Sequence, residues 1–126
     1  PAPGLAAAGD TRAALQALCA ATWGVSPSSD RRGLRLVGPL IAPTATADAG
    51  SHGVVPGTVQ LAPDGSPMVL LADAGTTGGY PVIAVVIAAD LDIVGQARPG
   101  GTLRFQAVDL PSARRALIEL RRTLDF

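Results

Sequence analysis

The order of apolar and polar positions along the chain predicts a mostly β protein with a helix near each end. Short apolar runs rich in β-branched residues recur through the middle of the sequence, and Gly- and Pro-containing turns separate them. We expect strands over residues 23–25, 34–38, 58–61, 67–71, 82–87 and 103–108. Roughly six short strands joined by such turns are typical of a barrel or a sandwich.

Two of these runs predict a β-hairpin. "TVQL" and "PMVLL" flank Pro63, Asp64 and Gly65, where Pro presets φ and Gly accepts a positive φ. The later run "VIAVVI" is continuously apolar, which predicts a strand buried on both faces. In the alternating run "LRLVG", Arg35 is predicted to face outward.

Helical spacing appears at both ends of the chain. Behind Asp10, a good N-cap, residues 11–21 predict a short amphipathic helix. Asp109 is the predicted cap of the last helix, whose apolar stripe is Leu110, Ala113, Leu117, Leu120 and Leu124. Its opposite face carries four Arg residues and is predicted to be solvated. Asp90 predicts a further short helix over 91–96. Residues 1–9 are interpreted as a flexible linker of a single domain, 1–126.

Composition and charge exclude several classes of function. Ten basic and ten acidic residues balance, so we expect no nucleic-acid partner. Every basic residue is Arg, and without Lys the chain can hold neither a P-loop, nor a Schiff base, nor a biotinyl group. Cys19 is the only cysteine, so no internal disulfide is possible, which favours location in a reducing cytoplasm. His52 is the only histidine, and no metal site is expected. No run of 18 apolar residues predicts a membrane span.

The segment "DAGTTGGYPV", residues 73–82, is the strongest candidate site. One interpretation is a tight turn before a strand. The other is a cradle in which successive backbone N–H groups, from Thr76, Thr77, Gly78, Gly79 and Tyr80, face a small polar ligand. Asp73, at the start of the loop, either braces it through hydrogen bonds from the threonines or accepts a substrate N–H.

Three further polar residues have two interpretations each. Gln60 lies between Val59 and Leu61 and faces away from them; its amide suits a urea-like or lactam group, or it is a plain surface side chain. Arg31 can clamp a carboxylate, or form a surface ion pair with Asp30. His52 is a general base or an exposed loop residue. The sequence assigns no catalytic residue.

A family resemblance is carried by three segments in order. "VSPSSDRRGLRLVG", "GVVPGTVQLAPDGSPMVLLADAGTTGGYPVIAVVIAADL" and "GQARPGGTLRF" resemble the C-terminal half of the allophanate hydrolase subunit 2 family, also called the biotin-dependent carboxyltransferase family. The resemblance runs from Trp23 to Phe105 and implies a cyclophilin-like β-barrel. It favours the ligand-loop interpretation, although Gly75 stands where many relatives carry Gln.

The resemblance also implies a function in a complex. It points to one component of an ATP-dependent 5-oxoprolinase, which opens 5-oxo-L-proline to glutamate together with a subunit 1 protein similar to KipI and its 5-oxoprolinase counterpart. ATP and Mg²⁺ would be used by the complex, with no cofactor in this chain. Family members carry an N-terminal half that this chain lacks, so activity alone is not expected. The alternatives are a carboxyltransferase component that uses biotin, and a KipA-like antagonist of a histidine-kinase inhibitor.

Overall fold

The computed structural model describes residues 4–7, 12–42, 52–75 and 77–124. Strands and helices follow the chain as β1 (Gly4–Ala7), α1 (Arg12–Ala20), β2 (Trp23–Val25), β3 (Gly33–Val37), β4 (His52–Gly53), β5 (Thr58–Leu61), β6 (Pro67–Leu70), β7 (Thr77–Gly78), β8 (Val82–Val86), a 3₁₀ turn (Ala88–Asp90), α2 (Leu91–Gly95), β9 (Thr102–Leu103), β10 (Gln106–Ala107) and α3 (Leu110–Leu124). The predicted mostly β fold, with a helix near each end, is confirmed.

Eight of the strands form one sheet in the order β10-β1-β8-β5-β6-β3-β2-β9, and β4 pairs with β7 in a separate ribbon. The predicted hairpin is confirmed, because β5 and β6 pair antiparallel with Val59 opposite Val69. Its turn is closed by the Gly65 N–H, which donates to the Ala62 carbonyl at 2.9 Å. The pairing of β3 with β6 extends the hairpin to a third strand.

One face of the sheet carries the hydrophobic core. Leu34, Val69, Val59 and Ala84 form a single cross-strand row, and all four are buried. Trp23 is 0% exposed, and its indole N–H donates to the Leu18 carbonyl of α1 at 2.8 Å. This bond fixes the end of α1 to the start of β2, so the helix lies in the same core cluster as the sheet.

The opposite face of the sheet is partly polar. Arg35, Met68, Gln60 and Val82 form a cross-strand row there, one step along from the core row. The register between β5 and β8 shifts after Val59, which leaves one extra residue on β8 as a β-bulge. Bulges increase the local twist and re-aim side chains, and they are common beside functional sites.

Two sequence predictions are wrong. Residues 4–7 belong to no linker: they form β1, which pairs antiparallel with β8 and parallel with β10. The small residues of this segment give no strand signal in the sequence. The segment is a strand because it lies between β8 and β10 and pairs with both. The single strand over 103–108 is two strands, β9 beside β2 and β10 beside β1, at opposite edges of the sheet. Residues 43–51 lie outside the described part of the chain, as does Asp10, the predicted cap of the first helix.

The predicted helices are confirmed, with a side-chain cap at Asp109 but none at Asp90. The Ser112 N–H donates to Asp109 Oδ1 at 2.8 Å, so Asp109 caps α3. Hydrogen bonds from Ser112 lower the pKa of the Asp109 carboxyl, with the larger effect from the Ser112 hydroxyl and the smaller from its N–H. α2 follows Asp90, which makes no side-chain cap hydrogen bond. Among the helices described, none is both long and apolar enough to cross a membrane.

Candidate functional site

The Gly-rich loop is partly a strand. Thr77 and Gly78 form β7 and pair with β4, with His52 opposite Gly78 and Gly53 opposite Thr77. Thr76 lies outside the described residues. No local pattern predicts this pairing, which joins two loops separated by β5 and β6 and places the only histidine beside the candidate cradle.

Beyond β7 the loop is open. A Cβ added at Gly79 would meet no atom of the described residues within 4 Å, and Gly79 is not among the described glycines with positive φ. Neither packing nor backbone conformation therefore requires a glycine there. Tyr80 is 43% exposed and lines a cleft of about 300 Å³ together with Arg35 and Asp64. The space in front of Gly79 is available for a ligand to approach the backbone.

Gly79→Ala is expected to leave stability unchanged, within about 0.5 kcal/mol, since the methyl group enters open space. If a ligand approaches this backbone, the same methyl lowers any activity that depends on this ligand by about tenfold or more. Denaturation curves and turnover are the two measurements. Gly24→Ala in β2, where the new Cβ would make an ordinary 3.6 Å contact, is the control and should change neither. Full activity of Gly79→Ala would leave the turn interpretation in place.

Gln60 is buried and not a surface residue. It is 3% exposed, and its Nε2 has no hydrogen-bond partner among the described residues. An unpaired buried amide costs about 1–3 kcal/mol, so its presence calls for a functional explanation. The alternation of β5 correctly predicted that Gln60 faces away from the core residues Val59 and Leu61. Its burial on that second face was not predictable from the strand alone.

Arg31 and Asp73 are brought together by the extension of the β3–β6 pairing. The Asp73 N–H donates to the Arg31 carbonyl at 3.2 Å, and the Leu71 N–H donates to the Arg32 carbonyl at 3.0 Å. Asp30 does not pair with Arg31 as one interpretation held. Its Oδ1 accepts the Arg32 N–H at 2.8 Å instead. Neither Arg31 nor Asp73 has an ion-pair partner in the described ranges, and both side chains are exposed.

Both residues line one cleft of about 570 Å³, which we call the Arg31–Asp73 cleft. Its wall is largely apolar, from Leu71, Leu91 and Val94, and Asp92 of α2 adds a second carboxylate. Sequence reasoning missed Asp92, because nothing local connects α2 with the end of β6. A guanidinium and two carboxylates around an apolar wall can bind a small molecule that carries both a carboxylate and an N–H donor.

Gly57 holds the two sides of this cleft together. Its φ is +91°, and a Cβ there would lie 2.7 Å from Leu91 Cδ2. The Gly57 N–H donates to the Leu70 carbonyl at 2.7 Å, and its carbonyl accepts the Val86 N–H at 2.8 Å. This close approach of backbone and α2 is available only to glycine.

The predicted site residues therefore occupy separate places. Arg31 and Asp73 share one cleft, Tyr80 lines another, and Gln60 lies in the sheet with Met68 and Val82 as its cross-strand neighbours. Gly79 lines neither of these two clefts. Within the described part of the chain there is no group of His, Cys, Asp or Glu side chains that could hold a metal ion.

Comparison with known proteins identifies the family of this chain. The model for "Carboxyltransferase domain, subdomain A and B" matches residues 2–107. The chain belongs to this family. A 5-oxoprolinase subunit from Haemophilus influenzae is 41% identical over 110 residues, which cover 82% of this chain and 36% of that protein. The urea amidolyase of Lachancea kluyveri is 32% identical over 102 residues, 73% of this chain and 6% of that one. The resemblance found in the sequence is confirmed.

A solved structure shares the fold. The urea carboxylase of Kluyveromyces lactis superposes with a TM-score of 0.86 at 23% identity, over 98% of this chain and 12% of that chain. The chain spans about a third of the length of its Haemophilus relative. The family match ends before α3 begins.

Proposed function

We propose that the chain is part of an ATP-dependent 5-oxoprolinase, the complex that opens the lactam of 5-oxo-L-proline to give glutamate. Its working partners are a subunit 1 homologue and the remainder of the family fold, which relatives carry in a longer chain. The observation that carries this proposal is the Arg31–Asp73 cleft, where a guanidinium and a carboxylate, neither paired within the described residues, face one apolar hollow. The 41% identity to a 5-oxoprolinase subunit supports it. We place the complex in the cytoplasm.

The chemistry of the substrate matches these two residues. 5-Oxoproline carries a carboxylate beside a lactam N–H, on a small apolar ring. The Arg31 guanidinium donates to the carboxylate in a forked pair, and the Asp73 carboxylate accepts the lactam N–H. The ring lies against Leu71 and Leu91. Asp92 repels the substrate carboxylate, which favours the orientation that places this carboxylate at Arg31.

Ring opening places negative charge on the lactam oxygen, and donors aimed at that oxygen lower the barrier. Gln60, Gly79 and Tyr80 lie outside the Arg31–Asp73 cleft, so in this proposal the donor to that oxygen is supplied by another part of the assembled complex. ATP and Mg²⁺ are bound by other subunits, because this chain has neither a P-loop nor a Lys. The role of this chain is to bind and orient the lactam.

The test measures glutamate formation by the reconstituted complex from 5-oxoproline, ATP and Mg²⁺. We expect Arg31→Ala to raise the KM for 5-oxoproline about 10- to 100-fold, because a charged pair of hydrogen bonds to the substrate carboxylate is lost. Asp73→Asn should raise it by a similar factor. Arg32→Ala is the matched control, because Arg32 is next to Arg31 in the sequence but does not line the cleft. If the complex forms glutamate equally well without this chain, or if Arg32→Ala has the same effect as Arg31→Ala, the proposal is wrong.

The family description favours a second candidate function. A carboxyltransferase component transfers CO₂ from carboxybiotin to urea or a related amide, and the matching model carries that name. The ureido ring of biotin offers the same N–H and C=O groups as a lactam, so the polar groups around the cleft fit it as well. Biotin would be attached to another chain, since this one has no Lys. If the activity of the complex persists in the presence of avidin, which binds biotin, this candidate function is wrong.

A further inference from the structure

The apolar side of α3 is incompletely covered. The helix packs on the 3₁₀ turn Ala88–Asp90, yet none of its residues from Pro111 to Leu120 is fully buried. Leu117 and Leu120 are only partly buried, and Ile118 is 50% exposed. A helix of this length is marginal in water without packing of its apolar stripe. Some apolar surface of α3 is therefore available to a partner.

An apolar cleft of about 510 Å³, the α3 cleft, runs beside this helix. Its walls include Val55, Pro56, Val85 and Leu91 on one side, and Ala113 and Leu117 of α3 on the other. Val55 is 58% exposed. Contiguous exposed apolar surface of this kind marks interaction sites on soluble proteins. The cleft is distinct from the Arg31–Asp73 cleft, with Pro56 and Leu91 as the only lining residues that both share.

Charge at the α3 cleft restricts its occupant. Among the lining side chains that the structure describes, Arg114 is the only charged one, and it has no ion-pair partner among the described residues. Arg115, beside it, is also exposed, and its Nη2 donates to the Ser112 hydroxyl at 3.2 Å. An occupant with acidic groups beside its apolar surface would neutralise this rim. A second copy of the chain would instead place one Arg-rich helix, with four Arg and one Glu, against another.

We propose that the α3 cleft docks an amphipathic helix of a partner polypeptide whose apolar stripe is flanked by Asp or Glu. Ala113, Leu117 and Leu120 lie three and four positions apart, so they form a ridge that packs into the grooves of another helix. The inference does not depend on the lactam activity.

The test uses the whole chain and two fluorescein-labelled synthetic helices of about 18 residues, long enough to be stable as helices. Both carry Leu at the same i, i+3, i+4, i+7 positions. One has Glu on the flanks of this stripe and the other has Lys. We expect fluorescence anisotropy to give a Kd at least tenfold lower for the acidic peptide. Val55→Asp, at an exposed position in the cleft wall, should weaken its binding tenfold or more, and Arg114→Glu should reverse the preference in favour of the Lys peptide.

Arg104→Glu, at an exposed position outside α3, is the matched charge control and should leave the preference unchanged. Far-UV circular dichroism and fluorescence of the single Trp establish that each variant is folded. The proposal is overturned if neither peptide binds, if both bind equally, or if Arg104→Glu reverses the preference as well. It is also overturned if sedimentation shows a dimer that Val55→Asp dissociates, because a second copy would then be the occupant. Turnover of 5-oxoproline by the complex is not a readout here, so failure of one proposal leaves the other standing.

Discussion

Replacing Trp23 with Ala is expected to destabilise the protein by about 3–5 kcal/mol, a large part of the total stability of a domain this size. Trp23 is fully buried, and it is the largest such side chain in the described core. Its loss leaves a cavity and also leaves the Leu18 carbonyl without the indole donor at 2.8 Å. Urea denaturation followed by far-UV circular dichroism measures the change, since the variant has no Trp fluorescence.

Gly38 provides a sharper version of this test. A Cβ at Gly38 would lie 2.6 Å from Trp23 Cε3, so Gly38→Ala forces the indole to move. We expect a loss of about 1–3 kcal/mol from this overpacking. In a Trp23→Ala background the obstacle is gone, and Gly38→Ala should cost much less. The two losses are therefore expected to be non-additive by about 1 kcal/mol or more. Strict additivity would show that the ring does not lie against Gly38.

The elements that could be predicted from sequence are those with local signals. The β5–β6 hairpin follows from Pro63-Asp64-Gly65 between two apolar runs, and the start of α3 follows from Asp109. β1 was missed, and β10 was not separated from β9, because neither β1 nor β10 carries an alternating apolar pattern of its own. They are strands because they pair with each other at one edge of the sheet. The paired residues lie about a hundred positions apart, so no local pattern can predict the pairing.

The candidate site divides in the same way. That Gln60 faces away from the core followed from the period of the strand, whereas its burial depends on chain segments far away in the sequence. Arg31 and Asp73 were each selected for their chemistry, but their meeting depends on the non-local pairing of β3 with β6. Asp92 could not be found, because only the packing of α2 beside Gly57 brings it to the cleft.

Gly65→Ala is the second change with a large expected effect, and Gly100→Ala is its matched control. Both glycines adopt a positive φ, +92° and +85°, so either substitution incurs the left-handed strain of about 1–2 kcal/mol. At Gly100 no atom of the described residues lies within 4 Å of the new Cβ, whereas at Gly65 the Cβ would lie 2.8 Å from the Ile41 carbonyl oxygen. We expect Gly65→Ala to cost about 1–3 kcal/mol more than Gly100→Ala, because backbone atoms cannot move aside as a side chain can.

Unfolding of both variants can be followed by the fluorescence of Trp23, which both retain. The Ile41 N–H donates to the Gly65 carbonyl at 2.9 Å, so relief of the clash by movement of residues 40–41 would break this bond and expose the buried Ile41 side chain. The extra cost at Gly65 therefore measures how firmly the β5–β6 turn holds the segment after β3. Equal losses in the two variants would mean that this segment yields freely, and that the turn is shaped by its backbone conformation alone.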